Sequence, residues 1–174
     1  MADFDFSTLI TDRTQADLDA LRALLSTPMA DWTAEQLAEF NLAVSKGAYN
    51  YTDLNRVTAC MDYLNEVLTG LGYVTGYAPV YILHLDGTTD TVWRENDEDI
   101  RADRIEACRA NVACIRVAFA QLAATPQTPA DLELLTWAEA NDIERILMAV
   151  EDGLRRMTQS RWYSGEIYSG EVTA

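Results

Sequence analysis

Apolar residues recur along this chain in alternating steps of three and four, the spacing that gathers them on one side of an α-helix. The clearest run is Leu54, Val57, Met61, Leu64, Leu68 and Leu71, a seam of heptad type. A second run, Ile105, Cys108, Val112, Ile115, Phe119 and Leu122, keeps the same rhythm. A third takes in Ile143, Ile146 or Leu147, Val150, Leu154 and Met157. Two shorter stripes come before them, Leu18, Leu21 and Leu25, then Leu37, Phe40 and Val44.

Polar punctuation agrees with these five helices. Thr14 can cap the first, with Asp17 three residues on favouring the positive helix end, and Ser26-Thr27-Pro28 stops it. Thr33 to Gln36 has capping-box spacing and opens a second helix that ends near Gly47. The two, closely joined, are expected to form an αα-hairpin that buries Leu37, Phe40 and Val44. Thr52 is the expected cap of the long seam, and Gly70 or Gly72 its stop. The next helix is expected to start among the acids from Asn96 to Asp99. Thr125-Pro126 and Thr128-Pro129 end it, with Pro129 opening a short helix through Leu135. Thr136 with Glu139 is a further capping box.

Between the long seams the rhythm changes to that of strands. Residues 79–85 are β-rich, Asp86-Gly87 is a turn signal, and residues 88–93 are β-rich again, which predicts a hairpin. The end of the chain repeats itself, Tyr163-Ser164-Gly165-Glu166 and then Tyr168-Ser169-Gly170-Glu171, with glycine content that argues against helix. It can pair as an edge strand or fold as an arm on a neighbour. The expected fold is mainly α: a single domain over 1–174, a helical bundle of about five helices. A β-hairpin insertion occupies about 77–95, and a short non-helical C-terminal tail 161–174.

Composition narrows the function classes. The 174 residues carry 13 basic and 28 acidic side chains, a formal charge of −15. So acidic a chain repels phosphate backbones, which makes nucleic-acid binding through a basic patch an unfavourable reading. Lys46 is the single lysine and the other bases are arginine, the cation favoured at protein interfaces. Cys60, Cys108 and Cys114 lie in apolar helical stretches, with no disulfide-framework spacing. The N-terminus has acids where a signal peptide needs positive charge, and no apolar run approaches the roughly 20 residues of a membrane span. A soluble chain made in a reducing cytoplasm is expected.

Little points to catalysis. His84 is the sole histidine, and spacing does not show a nucleophile and acid beside it. One histidine cannot supply a di-iron bundle site, and Cys108 and Cys114 fall on different helix faces, so no zinc site follows. Asn96-Asp97-Glu98-Asp99 lacks the ligand spacing of a calcium loop and reads as helix-start acids. No catalytic, cofactor-binding or metal-binding residue is assigned.

One short phrase occurs three times: Asp53-Leu54-Asn55-Arg56-Val57, Arg101-Ala102-Asp103-Arg104-Ile105 and Asp142-Ile143-Glu144-Arg145-Ile146. Each copy puts an arginine just before a core position, early in a helix, where the helix dipole disfavours a cation. Arg56, Arg104 and Arg145 should therefore meet compensating acids, either on a neighbouring helix or on another subunit. Trp32, Trp93 and Trp137 each stand shortly before a helix, as packing residues at its start.

The first copy in full, Tyr49-Asn50-Tyr51-Thr52-Asp53-Leu54-Asn55-Arg56-Val57, resembles a motif of tail and baseplate proteins of tailed phages and prophages of Gram-positive bacteria. The ending from Trp162 to Glu171 is similar to the close of small uncharacterised proteins in such tail modules. The resemblance implies a non-enzymatic structural or assembly component of a virion tail, made in the bacterial host cytoplasm. Its partners would be other tail proteins and further copies of itself, with no cofactor, nucleic acid or membrane. Candidate interface residues are Arg56, Arg104, Arg145, Trp162, Tyr163 and Tyr168. Two other classes stay open: an acidic regulatory protein-binding module that mimics nucleic acid or inhibits a partner, and a small enzyme using carboxylates in a helical cleft.

Overall fold

A computed structural model describes residues 4–41, 45–95, 102–119, 124–132 and 135–166, of which 102 and 161–166 by backbone alone. Among these residues five α-helices follow in order: α1 (Gln15–Leu25), α2 (Ala34–Asn41), α3 (Tyr51–Gly70), α4 (Ala102–Ala118) and α5 (Trp137–Glu166). A two-stranded antiparallel hairpin, β1 (Ile82–Leu83) and β2 (Thr89–Asp90), lies between α3 and α4. The fold is mainly α, as the periodicity predicts.

The body is a three-helix bundle in which α3, α4 and α5 each pack on the other two. Their predicted seams meet in its centre. Leu54, Val57, Cys60, Met61, Leu64 and Leu68 come from α3, Cys108, Val112 and Ile115 from α4, and Ile143, Ile146, Leu147, Val150 and Leu154 from α5. Hydrophobic transfer of these side chains out of water is the main force holding the bundle together. Ile82 and Trp93 from the hairpin segment, and Leu9 from the N-terminal segment, complete the core.

The helix ends are made by local chemistry. Thr14 and Asp17 form a reciprocal capping box on α1, Thr33 and Gln36 exchange the same pair of bonds on α2, and Thr136 and Glu139 do so on α5. On α3 the cap is Asn50, boxed with Asp53; Thr52, the expected cap, lies inside the helix and gives its N–H to Asn50. Both residues can cap, and a start at Asn50 also engages Asp53, so that solution satisfies more donors. The α3 stop combines Tyr73 N–H to Leu68 O (3.0 Å) with Gly72 N–H to Thr69 O (2.9 Å). Gly72 adopts φ +90°, the left-handed conformation this ending requires.

Several expectations need correction. Both α1 and α2 form, but they are not among the helices that pack closely on one another, and neither buries a residue. Leu37 and Phe40 stay well exposed, as do Leu25 and Met29, so the pair is an arm beside the bundle; Val44 lies outside the described residues. Among the described residues, the amphipathic stripes of α1 and α2 are apolar faces left partly uncovered. No helix begins at Pro129: the described residues 124–132 form no regular element. Their carbonyls are held instead by arginines of α4, Pro126 O by Arg116 Nε (2.6 Å) and Pro129 O by Arg109 Nη1 (3.3 Å). At the other end α5 continues as helix to Glu166, so the expected tail from 161 is helical in its first part. Residues 167–174 lie outside the described residues, as do Leu122 and the predicted helix start at 96–99.

The hairpin is shorter than the β-rich stretches suggest, with Ile82 opposite Asp90 and Leu83 opposite Thr89. Alternation nevertheless persists: Val80, Ile82 and His84 are buried, whereas Tyr81, Leu83 and Leu85 face out. The turn closes through Gly87 N–H to His84 O (3.0 Å), with Gly87 at φ +82°. Arg94 clamps it, reaching Asp86 and Asp90 at 2.9 Å each. Bonds from Thr88 hold Asp86, and bonds from His84 hold Asp90, at pKa values of about 2 against an ordinary 3.8. With the folded values depressed, this clamp is complete above the ordinary carboxylate range and is lost as the pH falls towards 2. Carbon-detected NMR titration should therefore find both midpoints near 2, and midpoints near 4 would contradict the clamp.

Candidate functional site

The densest polar constellation lies where the N-terminal segment crosses the first turns of α3 and α5. Glu144, wholly buried on α5, accepts from Arg13 Nη2 (2.8 Å), from Arg56 through Nη2 (2.8 Å) and Nε (3.1 Å), and from the Ile10 N–H. Asp53 on α3 accepts from Arg13 (2.7 Å) and Arg56 on one oxygen and from the Asn50 N–H on the other. Arg13 also gives a bond to Ile10 O (2.7 Å) and lies over the Tyr49 ring, 5.5 Å from its centroid. Asn141 then clasps the backbone of Arg13 from both sides, at 2.9 Å to N–H and 2.9 Å to C=O.

Two guanidiniums thus face two carboxylates, and the quartet is balanced in charge. Burial alone would lower the Arg56 pKa, but Glu144 and Asp53 outweigh it and the value rises. Burial, with the neighbouring acids, pushes the Tyr49 hydroxyl upward. Every carboxylate oxygen of the quartet already accepts at least one bond, and Glu144 has no contact with solvent. Neither acid is placed to take a proton from a substrate. The arrangement works as a latch: it ties residues 10–13, and with them the start of α1, to both long helices. Its formation removes charges from water, so it confers specificity of arrangement more than net stability.

The three phrase arginines end in three different places. Arg56 is absorbed into this quartet, its compensating acids being Asp53 and Glu144 of the same chain. Arg145 is half exposed, bonded to Thr11 O (2.8 Å) and paired with Asp142 (3.4 Å). Arg104 is half exposed with Asp103 at 3.3 Å. The first and third phrases do meet, through Arg56 and Glu144, but Arg104 is not brought to them. Trp162 and Tyr163 fall on the last turns of α5, where only the backbone is described, and Tyr168 lies outside the described residues. Sequence reasoning overlooked Arg13, Asn141 and Glu144 as site residues. One signal was available: Glu144 stands three residues before Leu147 and four after Ala140, a charged residue on the buried stripe of α5.

Of the other reactive groups, the histidine and two of the three cysteines are buried. His84 is buried, its Nε2 2.9 Å from Asp90. Burial pushes the Cys60 thiol up and carries Cys108 to about 12, while Cys114 is partly exposed. Only a thiolate attacks a disulfide reagent. At pH 8 such a reagent should label Cys114 first and the other two far more slowly, all three reacting at once in denaturant; equal native rates would contradict this packing. Among the described residues no group of three or more His, Cys, Asp or Glu could hold a metal ion. No helix there is long and apolar enough to cross a membrane. No protein-family model, curated protein or solved structure matches this chain.

Proposed function

We propose that this chain is a non-enzymatic structural or assembly component of a phage or prophage tail, acting through protein–protein contacts and carried in the virion. The observation that carries the reading is apolar surface left in water beside a closed core. Leu25, Met29, Leu37 and Phe40 are exposed on the arm, and Tyr81, Leu83 and Leu85 on the outer side of the hairpin. Exposed apolar surface of this kind marks contact with other proteins. The resemblance of Tyr49 to Val57 supplies the setting, and the latch of Arg13, Asp53, Arg56 and Glu144 supplies rigidity at the base of the arm.

An induced lysogen carrying an epitope-tagged copy of the gene tests the reading. The chain is expected in purified particles or tail-assembly intermediates at fixed stoichiometry, and its deletion should leave tails incomplete. A chain missing from both, whose deletion leaves tails intact, overturns the proposal.

A further inference from the structure

Of the acids on α5 whose side chains are described, all but one are matched. Glu139 accepts from the Thr136 N–H and hydroxyl (2.9 and 2.7 Å), and Asp142 pairs with Arg145. Glu144 lies in the latch, and Asp152 holds both Arg155 (2.6 Å) and Arg156 (2.7 Å). Glu151 is the exception, a half-buried carboxylate with no hydrogen bond or ion pair among the described residues. Burial pushes its pKa above the ordinary 4.5; Arg155 is near enough to be felt but gives its bond to Asp152. A carboxylate that has lost water without gaining a donor is unfavourably placed.

A shallow depression of about 490 Å³ opens beside it, between the N-terminal segment and α5, lined by Phe6, Met148, Ala149, Glu151 and Asp152. Its aromatic wall is fixed, for the Phe6 ring meets Phe4 edge-on at 5.0 Å and Tyr63 of α3 at 5.7 Å. Met148 is 41% exposed, a flexible side chain that moulds to what lies on it. An apolar wall beside a lone carboxylate suits a ligand with an aliphatic stem and a cationic, donating head. Among protein side chains these are lysine and arginine, which lay their methylenes on apolar surface and carry the charge beyond it. Glu151 and Asp152 offset Arg155 and Arg156 in charge, so net charge along this stretch of α5 does not select the ligand. Selection is by contact, through the one acceptor that lacks a donor.

We propose that this depression receives a lysine or arginine side chain of a partner protein, its stem on Phe6, Ala149 and Met148 and its head on Glu151. A neutral donor leaves the charge of Glu151 unmatched, and an anion meets a carboxylate in a chain of formal charge −15. The pairing orients the partner as much as it holds it. The inference deepens the assembly reading by giving the chemistry of one contact, and rests on it for a protein as the source of the cation.

Methyl NMR of the full chain, labelled at methionine, tests the site with n-pentylguanidinium and n-pentylammonium as probes. The Met148 signal, assigned by its loss in Met148→Leu, is expected to shift with either cation. n-Pentanol, which keeps the stem and a neutral donor, and methylguanidinium, which keeps the head, should each bind about tenfold more weakly or worse. Glu151→Gln should weaken the cations by a similar factor and leave pentanol unchanged, with the buried Met61 signal reporting that the variant is folded. A Met148 signal that ignores the cations, answers pentanol equally or is unaltered by Glu151→Gln overturns the proposal. In the tagged lysogen, Glu151→Lys should be kept out of particles although its purified form melts as wild type does. Its entry at wild-type stoichiometry overturns a protein as the source of the cation, even where the probes bind. A wild-type chain that never enters particles sinks the assembly reading, and the cation site then stands or falls on the Met148 shifts.

Discussion

Replacing Glu144 by alanine should cost about 3–5 kcal/mol of folding stability, because it leaves two guanidiniums facing one carboxylate in a nearly dry site. Arg13 is 2% exposed and cannot turn to water. Arg56 keeps Asp53 alone, and the Ile10 N–H loses its acceptor. A domain of this size holds on the order of 5–15 kcal/mol in total, so the variant should unfold at far lower urea with an unchanged denaturant slope. Converting all four residues together to leucine and methionine should instead be neutral or stabilising by roughly 1–4 kcal/mol, since no charge then needs desolvating. A Glu144→Ala cost below about 1 kcal/mol, the level of a surface ion pair, would show that the latch does not exist in solution.

The second large effect is expected at Trp93. This indole is 1% exposed and fills the space between the hairpin segment and the bundle. Asn55 fixes its backbone through Trp93 N–H to Oδ1 (2.7 Å) and Nδ2 to Trp93 O (2.8 Å). Trp93→Ala should cost about 3–5 kcal/mol, the range for emptying a large aromatic site. Intrinsic fluorescence gives a second reading, for the variant should lose the most blue-shifted part of the emission. If thermal unfolding shifts by only a degree or two while the emission is unchanged, Trp93 does not hold the hairpin down.

These two sites differ in how far the chain itself announces them. The seams through Leu64, Val112 and Val150 are legible because helical geometry maps a step of three or four residues onto one face. The capping boxes are legible for a related reason: donor and acceptor lie three residues apart, within reach of one another whatever the rest of the chain does. Trp93 reads as a packing residue near a helix start, but nothing local says that Asn55 will hold it. The Glu144 latch is harder still, since its partners are 88 and 131 residues away in sequence. A repeated arginine demands a counter-charge, yet spacing cannot say whether that charge belongs to the same chain.

The α1–α2 arm marks the boundary between the two kinds of knowledge. Its stripes, caps and stop residues are all local, and both helices form as those signals require. Burial is different, because it depends on what lies opposite: Leu37 and Phe40 stay exposed, although Phe40 meets the Trp32 ring edge-on at 5.1 Å. The amino-acid order therefore determined five helices, their ends and the faces that repel water, all set by contacts a few residues long. Tertiary structure alone decided that three of them close a core, that Arg56 pairs inward while Arg145 stays near the surface, and that the arm stands apart. Such outcomes turn on desolvation and on charges brought together from distant positions, and no short stretch of sequence contains both partners.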